Sequence, residues 1–341
     1  MKCLVVGRGL AGSWLSWHLA ERGHDVTVAN DPDTPSASRV AAGLINPVTG
    51  TRPKSTWQGD ILLPFARRAY GSLEDRFGTT LWTDRTIRRI FLTEKDKELW
   101  SNADARGINT AWTPVIDDVD GIRLRYGGVE YAGATIDTKT LIDSVARFLD
   151  TSLTVTPPIQ TVSETDDYDL VFWCNGWSAS RQHLWSWLPF QPVKGEIIDA
   201  EINGPALSAI LIRSIWIVPD SNTTALTTST QHVRIGATHD WDNLDTFTTD
   251  LGRTSLTSKA EELLGRSIAI TGHSAGVRPA ARSKRPFLGR HPQHSKHIIM
   301  NGLGSKGSLW APWAASHLLS HIFDGEPLNE ETDIKRWWHH V

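Results

Sequence analysis

The sequence predicts a mixed α/β fold (α+β overall), a parallel-sheet domain interrupted by an antiparallel-sheet domain. Three observations carry that reading. The chain opens with a strand–turn–helix–strand pattern, closes with a strand–turn–helix pattern, and holds short strands separated by turns in between. At 341 residues it is long enough for two structural domains with sizeable cores.

The elements follow in chain order. Residues 2–6 are a short apolar run, 14–20 carry apolar residues at helical spacing, Gly23 supplies a stop, and Asp25–Val28 reads as the second strand. A polar, Ser/Pro-rich stretch from Asp31 to Arg39 breaks regular structure. Residues 60–77 and 94–106 look helical, the second heavily charged. A helix around Thr135–Asp150 precedes a strand at Leu153-Thr154-Val155, and Asp169–Cys174 is a buried strand ending at Asn175-Gly176. From Val193 to Trp241 the pattern is that of an antiparallel sheet, followed by a charged helix at 253–265, a strand at 297–301, a Gly-rich turn and a helix at 308–323. Pro312 is expected within about the first turn of that helix, where proline is tolerated. This order assigns 1–75, 132–190 and 270–341 to a discontinuous nucleotide-type domain, and 76–131 and 191–269 to a second, substrate domain.

Composition narrows the class. Hydrophobic residues make up 40% and charged residues 21%, as in ordinary globular proteins, and a net charge of −3 argues against a generic nucleic-acid coat. Cys3 and Cys174 lie far apart without a disulfide or metal-ligand pattern, which fits a reducing compartment. A strand beginning at Lys2 leaves no room for a signal peptide, and no run approaches the ~18 apolar residues of a membrane span. The expectation is a cytoplasmic protein with no membrane partner. Sixteen tryptophans are unusual. Most are expected to fill cores and seams, a few to line an aromatic cavity. The scattered histidines lack metal-ligand spacing, and no Ser/His/Asp set stands out.

Gly7-Arg8-Gly9-Leu10-Ala11-Gly12 matches G-x-G-x-x-G between a strand and a helix. Gly7 makes the tight turn, Gly9 lets backbone approach a pyrophosphate, and Gly12 allows close helix–strand packing. The N–H groups at the helix start, Leu10 and Ala11 among them, then face the phosphates. The motif does not choose between NAD and FAD. The ribose position at the end of the second strand holds Asn30, followed by Asp31, and either can serve.

A second glycine cluster, Gly302-Leu303-Gly304-Ser305-Lys306-Gly307, joins a strand to the last helix. A second phosphate loop is redundant for one dinucleotide. A reduced flavin, however, carries negative charge that helix N–H groups and Lys306 would stabilise. No Asp or Glu occurs between Glu262 and Asp324, while Arg266, Arg278, Arg282, Lys284, Arg285, Arg290, Lys296 and Lys306 do, so this segment suits an anionic partner.

Five pieces in order carry a family resemblance: Gly7–Gly12; Ser38-Arg39-Val40-Ala41-Ala42-Gly43-Leu44; Cys174-Asn175-Gly176-Trp177-Ser178; Gly276-Val277-Arg278-Pro279; and Gly302–Gly307 with Ala311-Pro312. The chain resembles the D-amino-acid oxidase superfamily, particularly its glycine oxidase and sarcosine oxidase branch. The resemblance implies an FAD-binding Rossmann-like domain with an interleaved substrate domain. It places Ala42-Gly43-Leu44 beside the flavin, Ile159 near the adenine, and Asn175-Gly176 near the pyrophosphate. The family's covalent flavin cysteine has no counterpart here, which implies non-covalent FAD.

On the substrate side the resemblance makes Arg278 the grip on a carboxylate, a role that suits a guanidinium fork. Trp216 falls where relatives place a tyrosine, His239 follows a strand that passes the flavin, and Arg234 on that strand is a candidate to assist oxygen reduction. Glycine oxidases carry a second arginine where this chain has Ser305, so glycine is not implied as the substrate. The implied reaction is oxidation of a small amino acid or N-substituted amino acid, with hydride transfer to flavin N5. Two other readings stay open. The last glycine loop also resembles flavin domains of tRNA wobble-uridine enzymes, whose substrate the basic segment would dock. A non-catalytic dinucleotide sensor would bind cofactor without turnover.

Overall fold

The computed structural model describes residues 1–30, 36–50, 53–102, 112–149, 159, 162–220 and 230–340. The chain begins with β1 (Lys2–Val6), α1 (Leu10–Glu21) and β2 (Asp25–Ala29), the unit expected from the opening pattern. A short helix α2 (Ala37–Val40) and the two-residue strands β3 (Leu44–Ile45), β4 (Val48–Thr49) and β5 (Lys54–Ser55) lead to α3 (Gly59–Phe77). Then come β6 (Trp82–Ile90), α4 (Glu94–Ser101), β7 (Trp112–Val115), β8 (Gly128–Ile136), α5 (Thr138–Phe148) and β9 (Leu170–Trp173). The remainder comprises β10 (Val193–Asn203), β11 (Ile210–Ile212), β12 (Trp216–Pro219), β13 (Thr230–Gly236), α6 (Asp250–Leu264), β14 (Ile268–Arg278), β15 (Phe287–Arg290), β16 (His297–Asn301) and α7 (Gly307–Leu319).

Among the described residues the strands form two main sheets. The first has the order β15-β16-β9-β1-β2, with β2, β1, β9 and β16 parallel and β15 antiparallel at the edge. Its strands are buried on both faces, as a parallel sheet between layers should be. In β1, Cys3 and Val5 enter the core under α1, α3, α5 and α7, while Leu4 and Val6 enter a second core with Trp185 and Leu188. The second sheet runs β14-β10-β13-β12-β11-β6-β8-β3, with β7 on β8. Its neighbours are antiparallel except for β11 with β6. The α6 helix covers one face through Leu256, Ala260 and Leu263.

Several expectations shift in detail. The charged helix expected to reach 106 ends at Ser101 with Asn102 as its C-cap, and residues 103–106, like the strand at 153–155, lie outside the described residues. Thr135 and Ile136 close β8 rather than open a helix; α5 starts at Thr138, capped by the Asp137 carboxylate, which accepts from Thr140 N–H at 2.9 Å. The long pair β6/β8 was not expected, because alternating charged residues mask its pattern. Boundaries at 131/132 and 269/270 fall inside strands, since β8 pairs with β6 and β14 with β10 along their lengths. Pro312 sits in the second turn of α7 rather than the first. It leaves the Ser308 carbonyl without its helical donor, and the buried Tyr70 hydroxyl donates to that oxygen at 2.8 Å. The tryptophans divide as expected: Trp14, Trp100, Trp173 and Trp185 are fully buried, while Trp177 and Trp216 line a cavity.

Candidate active site

One cavity of about 770 Å³ runs from the turn after β1 to the face of the second sheet, a size typical of ligand sites. At the β1 end the backbone is tightly cradled. Gly7 has φ +103°, and a Cβ there would meet the Cys174 carbonyl and Asn175 Cα within 2.8 Å. A Cβ at Gly12 would collide with the Gly7 carbonyl, so that glycine packs α1 against the turn and stays off the cavity wall. Gly9, the N-cap of α1, has no side chain to cap the helix, and the first turn holds no acid, so the helix start faces the cavity as a positive pole. The Ser38 hydroxyl accepts from Leu10 N–H at 3.0 Å, tying α2 to that helix start.

The other expected cofactor residues assemble here. Asn30 lines the cavity with its carboxamide oxygen accepting from Arg8 N–H at 3.2 Å, whereas Asp31 lies outside the described residues. Ala42, Gly43, Leu44, Ile159, Asn175, Gly176, Trp177 and the loop Leu303–Gly307 are all on the wall. Gly302 stands behind it: at φ +74° against Phe287 it shapes the turn. Arg39 is also off the wall, paired with Asp143 on the surface. Lys306 donates from Nζ to the Asn46 carbonyl at 2.9 Å, and burial lowers its pKa to about 8.

At the far end stand Arg278, Trp216 and His239. The Arg278 guanidinium has no acidic partner among the described residues; its one bond, to the Thr238 carbonyl, is long at 3.4 Å. Burial lowers it to about 10, so it remains charged at neutral pH. Burial first, and the Arg278 charge second, lower the pKa of His239 and favour its neutral form. The Trp216 ring covers Gly236, where a Cβ would meet it.

Arg234 departs from expectation. It is absent from the wall; its guanidinium bonds Asp199 at 2.9 Å and the carbonyls of Ala41 and Val40 at 2.9 and 2.7 Å. With its donors engaged, it fastens the Val40–Ala41 segment to the second sheet rather than facing the cavity. The sequence reading also missed Gly195 and Gly236, lone glycines inside strands that signal close approach, and Arg89, which had no motif around it.

No Asp or Glu lines the cavity among the described residues, while Arg8, Arg89, Arg181, Arg213, Arg278 and Lys306 do. The acid-free segment does not form one basic face. Arg285 pairs with Glu331 at 2.8 Å and Lys296 with Asp166 at 3.1 Å, whereas Arg278 and Lys306 turn inward. Buried Asn175 Oδ1 and Trp177 Nε1 lack partners, as polar atoms awaiting a ligand would. The glycine cradle, the helix start and this charge balance fit a dianionic dinucleotide.

The fold and cavity thus define a dinucleotide-binding protein whose cofactor loop opens onto a sheet-lined chamber. Residues 2–320 match the family of FAD dependent oxidoreductases, and the chain belongs to that family of enzymes, with FAD as its cofactor. It is 24% identical to a glycine oxidase of Bacillus licheniformis across 96% of this chain and 94% of that protein. Its fold is that of the glycine oxidase from Geobacillus kaustophilus, with TM-score 0.76, 20% identity and coverage of 96% and 95%. It also matches the iminodiacetate oxidase from Chelativorans sp. BNC1, with TM-score 0.73, 22% identity and 96% coverage of each chain. No described helix is long and apolar enough to cross a membrane.

Proposed function

We propose that the protein oxidises the C–N bond of a small amino acid or N-substituted amino acid. The observation that carries this is Arg278, a largely buried cation without an acidic partner among the described residues, facing a cavity that also offers a glycine cradle. The glycine oxidase and iminodiacetate oxidase relatives support the same substrate class. When bound, FAD supplies the acceptor at N5 for the hydride leaving the carbon next to nitrogen.

The chain's own residues position the reactants. A carboxylate on Arg278 restores the charge balance that burial disturbs, through two parallel charge-assisted bonds. Trp216 walls the chamber and His239, kept neutral, does not compete for the carboxylate. Fixing the amine this way supplies orientation, the main contribution available without a general base. The absence of lining carboxylates among the described residues fits an amine that loses its proton to solvent. Lys306, Gly304 and the start of α7 form the cationic end suited to negative charge on the cofactor. Gly7, Gly9, Asn30, Asn175 and Gly176 are assigned to its dinucleotide part. Cys174 lines the cavity, but burial raises its pKa and keeps it a thiol, in keeping with non-covalent FAD. We place the domain boundaries after β8 and β14, where the chain leaves the second sheet.

The test is anaerobic addition of amino acids and N-alkyl amino acids to the purified yellow protein. Bleaching by at least one amine in the native protein, lost in Arg278→Ala with flavin retained, is expected. Bleaching that survives in Arg278→Ala would remove Arg278 from the site. Bound FAD unreduced by every small amine would shift the reading to a macromolecular substrate or a sensor.

A further inference from the structure

We propose that Arg89 is a second carboxylate-binding residue, so that the preferred substrate is a dicarboxylate: an amino acid with an acidic side chain or an N-carboxyalkyl substituent. The proposal deepens, and as to substrate rests on, the amine-oxidation reading. Arg89, Ile212, Trp216, Gly236 and Ile197 are register partners across β6, β11, β12, β13 and β10, and all five line the cavity. Register partners point to one face, so Arg89 shares the chamber with Trp216. The head of Arg278 lies beside Gly195 and Thr238, at the β10–β13 end of this row. Arg89 stands at the other end, three strands and about 14 Å of Cα spacing from Gly236, with Trp216 between.

The neighbouring arginine shows what a satisfied one looks like in this sheet. Arg88, on the opposite face, is buried and pairs with both Asp120 and Glu130 at 2.6 Å. Arg89 has no acidic partner within ion-pair distance among the described residues. Instead it lies over the Trp100 ring at 5.8 Å, and Trp100 stacks on Tyr131 at 5.8 Å and 14°. The Tyr131 hydroxyl also takes a hydrogen bond from Arg89; an aromatic floor of this kind holds a guanidinium in place while leaving the other donors of its fork for a planar anion.

The charges of the cavity lead to the same place. Arg8 belongs to the dinucleotide loop, Arg181 lies past Asn175–Gly176 over Trp177, Lys306 bonds Asn46, and Arg213 pairs with Glu262 at 3.3 Å. One substrate carboxylate satisfies Arg278. Arg89 remains, and a cation without an acidic partner among the described residues calls for a second anionic group on the ligand.

The test uses the FAD-loaded enzyme and non-reacting acids, with binding read as a shift of the flavin absorption spectrum. Glutarate and succinate are compared with butyrate. We expect at least one dicarboxylate to bind native enzyme about 10-fold or more tighter than butyrate. Arg89→Gln should reduce that affinity to the butyrate level while leaving butyrate and FAD binding unchanged, and Arg89→Lys should restore part of it. Equal affinity for all three acids, equal loss of all three in Arg89→Gln, or loss of FAD in that variant would each overturn the proposal. Amine addition to the same samples separates the two readings. Arg89-dependent dicarboxylate binding without bleaching by any amine sustains the site and sinks the reaction, and bleaching without Arg89 dependence does the reverse.

Discussion

The Arg278 guanidinium occupies the volume that a side chain at residue 195 would fill: a Cβ there would lie 2.5 Å from Arg278 Cζ. β10 and β14 are paired at this point, Gly195 opposite Gly276, so neither strand can move aside without breaking its ladder. The place of the Arg278 guanidinium, and with it the proposed carboxylate grip, therefore depends on a glycine at 195. Gly195→Ala should raise KM for the amine about 10-fold or more while FAD content stays native, with overpacking costing about 1–3 kcal/mol of stability. Steady-state kinetics and thermal melts on the same preparation check both halves.

Gly7 makes the sharper demand on backbone. Its φ of +103° lies where L side chains rarely go, and the Cys174 carbonyl and Asn175 Cα close the space a Cβ would need. Gly7→Ala combines strain with a backbone collision, which together should cost about 3 kcal/mol or more. The variant should lose flavin on gel filtration and unfold at lower urea than the native apoprotein. Native FAD affinity would show that the turn adapts and that the cradle is not selective.

Arg234 is expected to act through the loop it holds. Removing it in Arg234→Ala strands the Val40 and Ala41 carbonyls and Asp199, at a cost of about 1–3 kcal/mol. FAD affinity should fall, while the rate of reoxidation by oxygen per bound flavin stays native. Stopped-flow reoxidation decides this; a selective fall in that rate with full flavin content would return Arg234 to the chemistry.

Lys306 gives a pH signature. Burial lowers it to about 8 from the ordinary 10.5. Between those values the unfolded chain holds a proton that the folded apoprotein releases, so its stability rises with pH across that window. Below about pH 8 the charged, buried ammonium destabilises the apoprotein by about 3 kcal/mol. Lys306→Met should then be the more stable apoprotein at neutral pH, with the difference closing as pH approaches about 10.5. Urea unfolding of both apoproteins across that range measures it, and a gap that does not change with pH would show that Lys306 is solvated.

What the sequence determines by itself is local. The turn at Gly7–Gly12, the strand–helix order at both ends and the loop at Gly302–Gly307 are legible because each rests on backbone constraints within a few residues: a turn that needs glycine, a helix start, an apolar run buried on both faces. Those constraints sufficed to place the glycine turn that lines one end of the cavity. The tertiary structure decides the rest, because the sheet-lined end of the cavity is made by lateral register. Arg89, Trp216 and Gly236 are far apart in the chain and meet only through strand pairing. Arg234 reads from sequence as a cation near the flavin; only the approach of Val40 and Ala41 turns it into a fastening. Burial acts in the same way: the charge of Arg278 is written in the sequence, but the lack of any acid beside it among the described residues is a property of the folded wall.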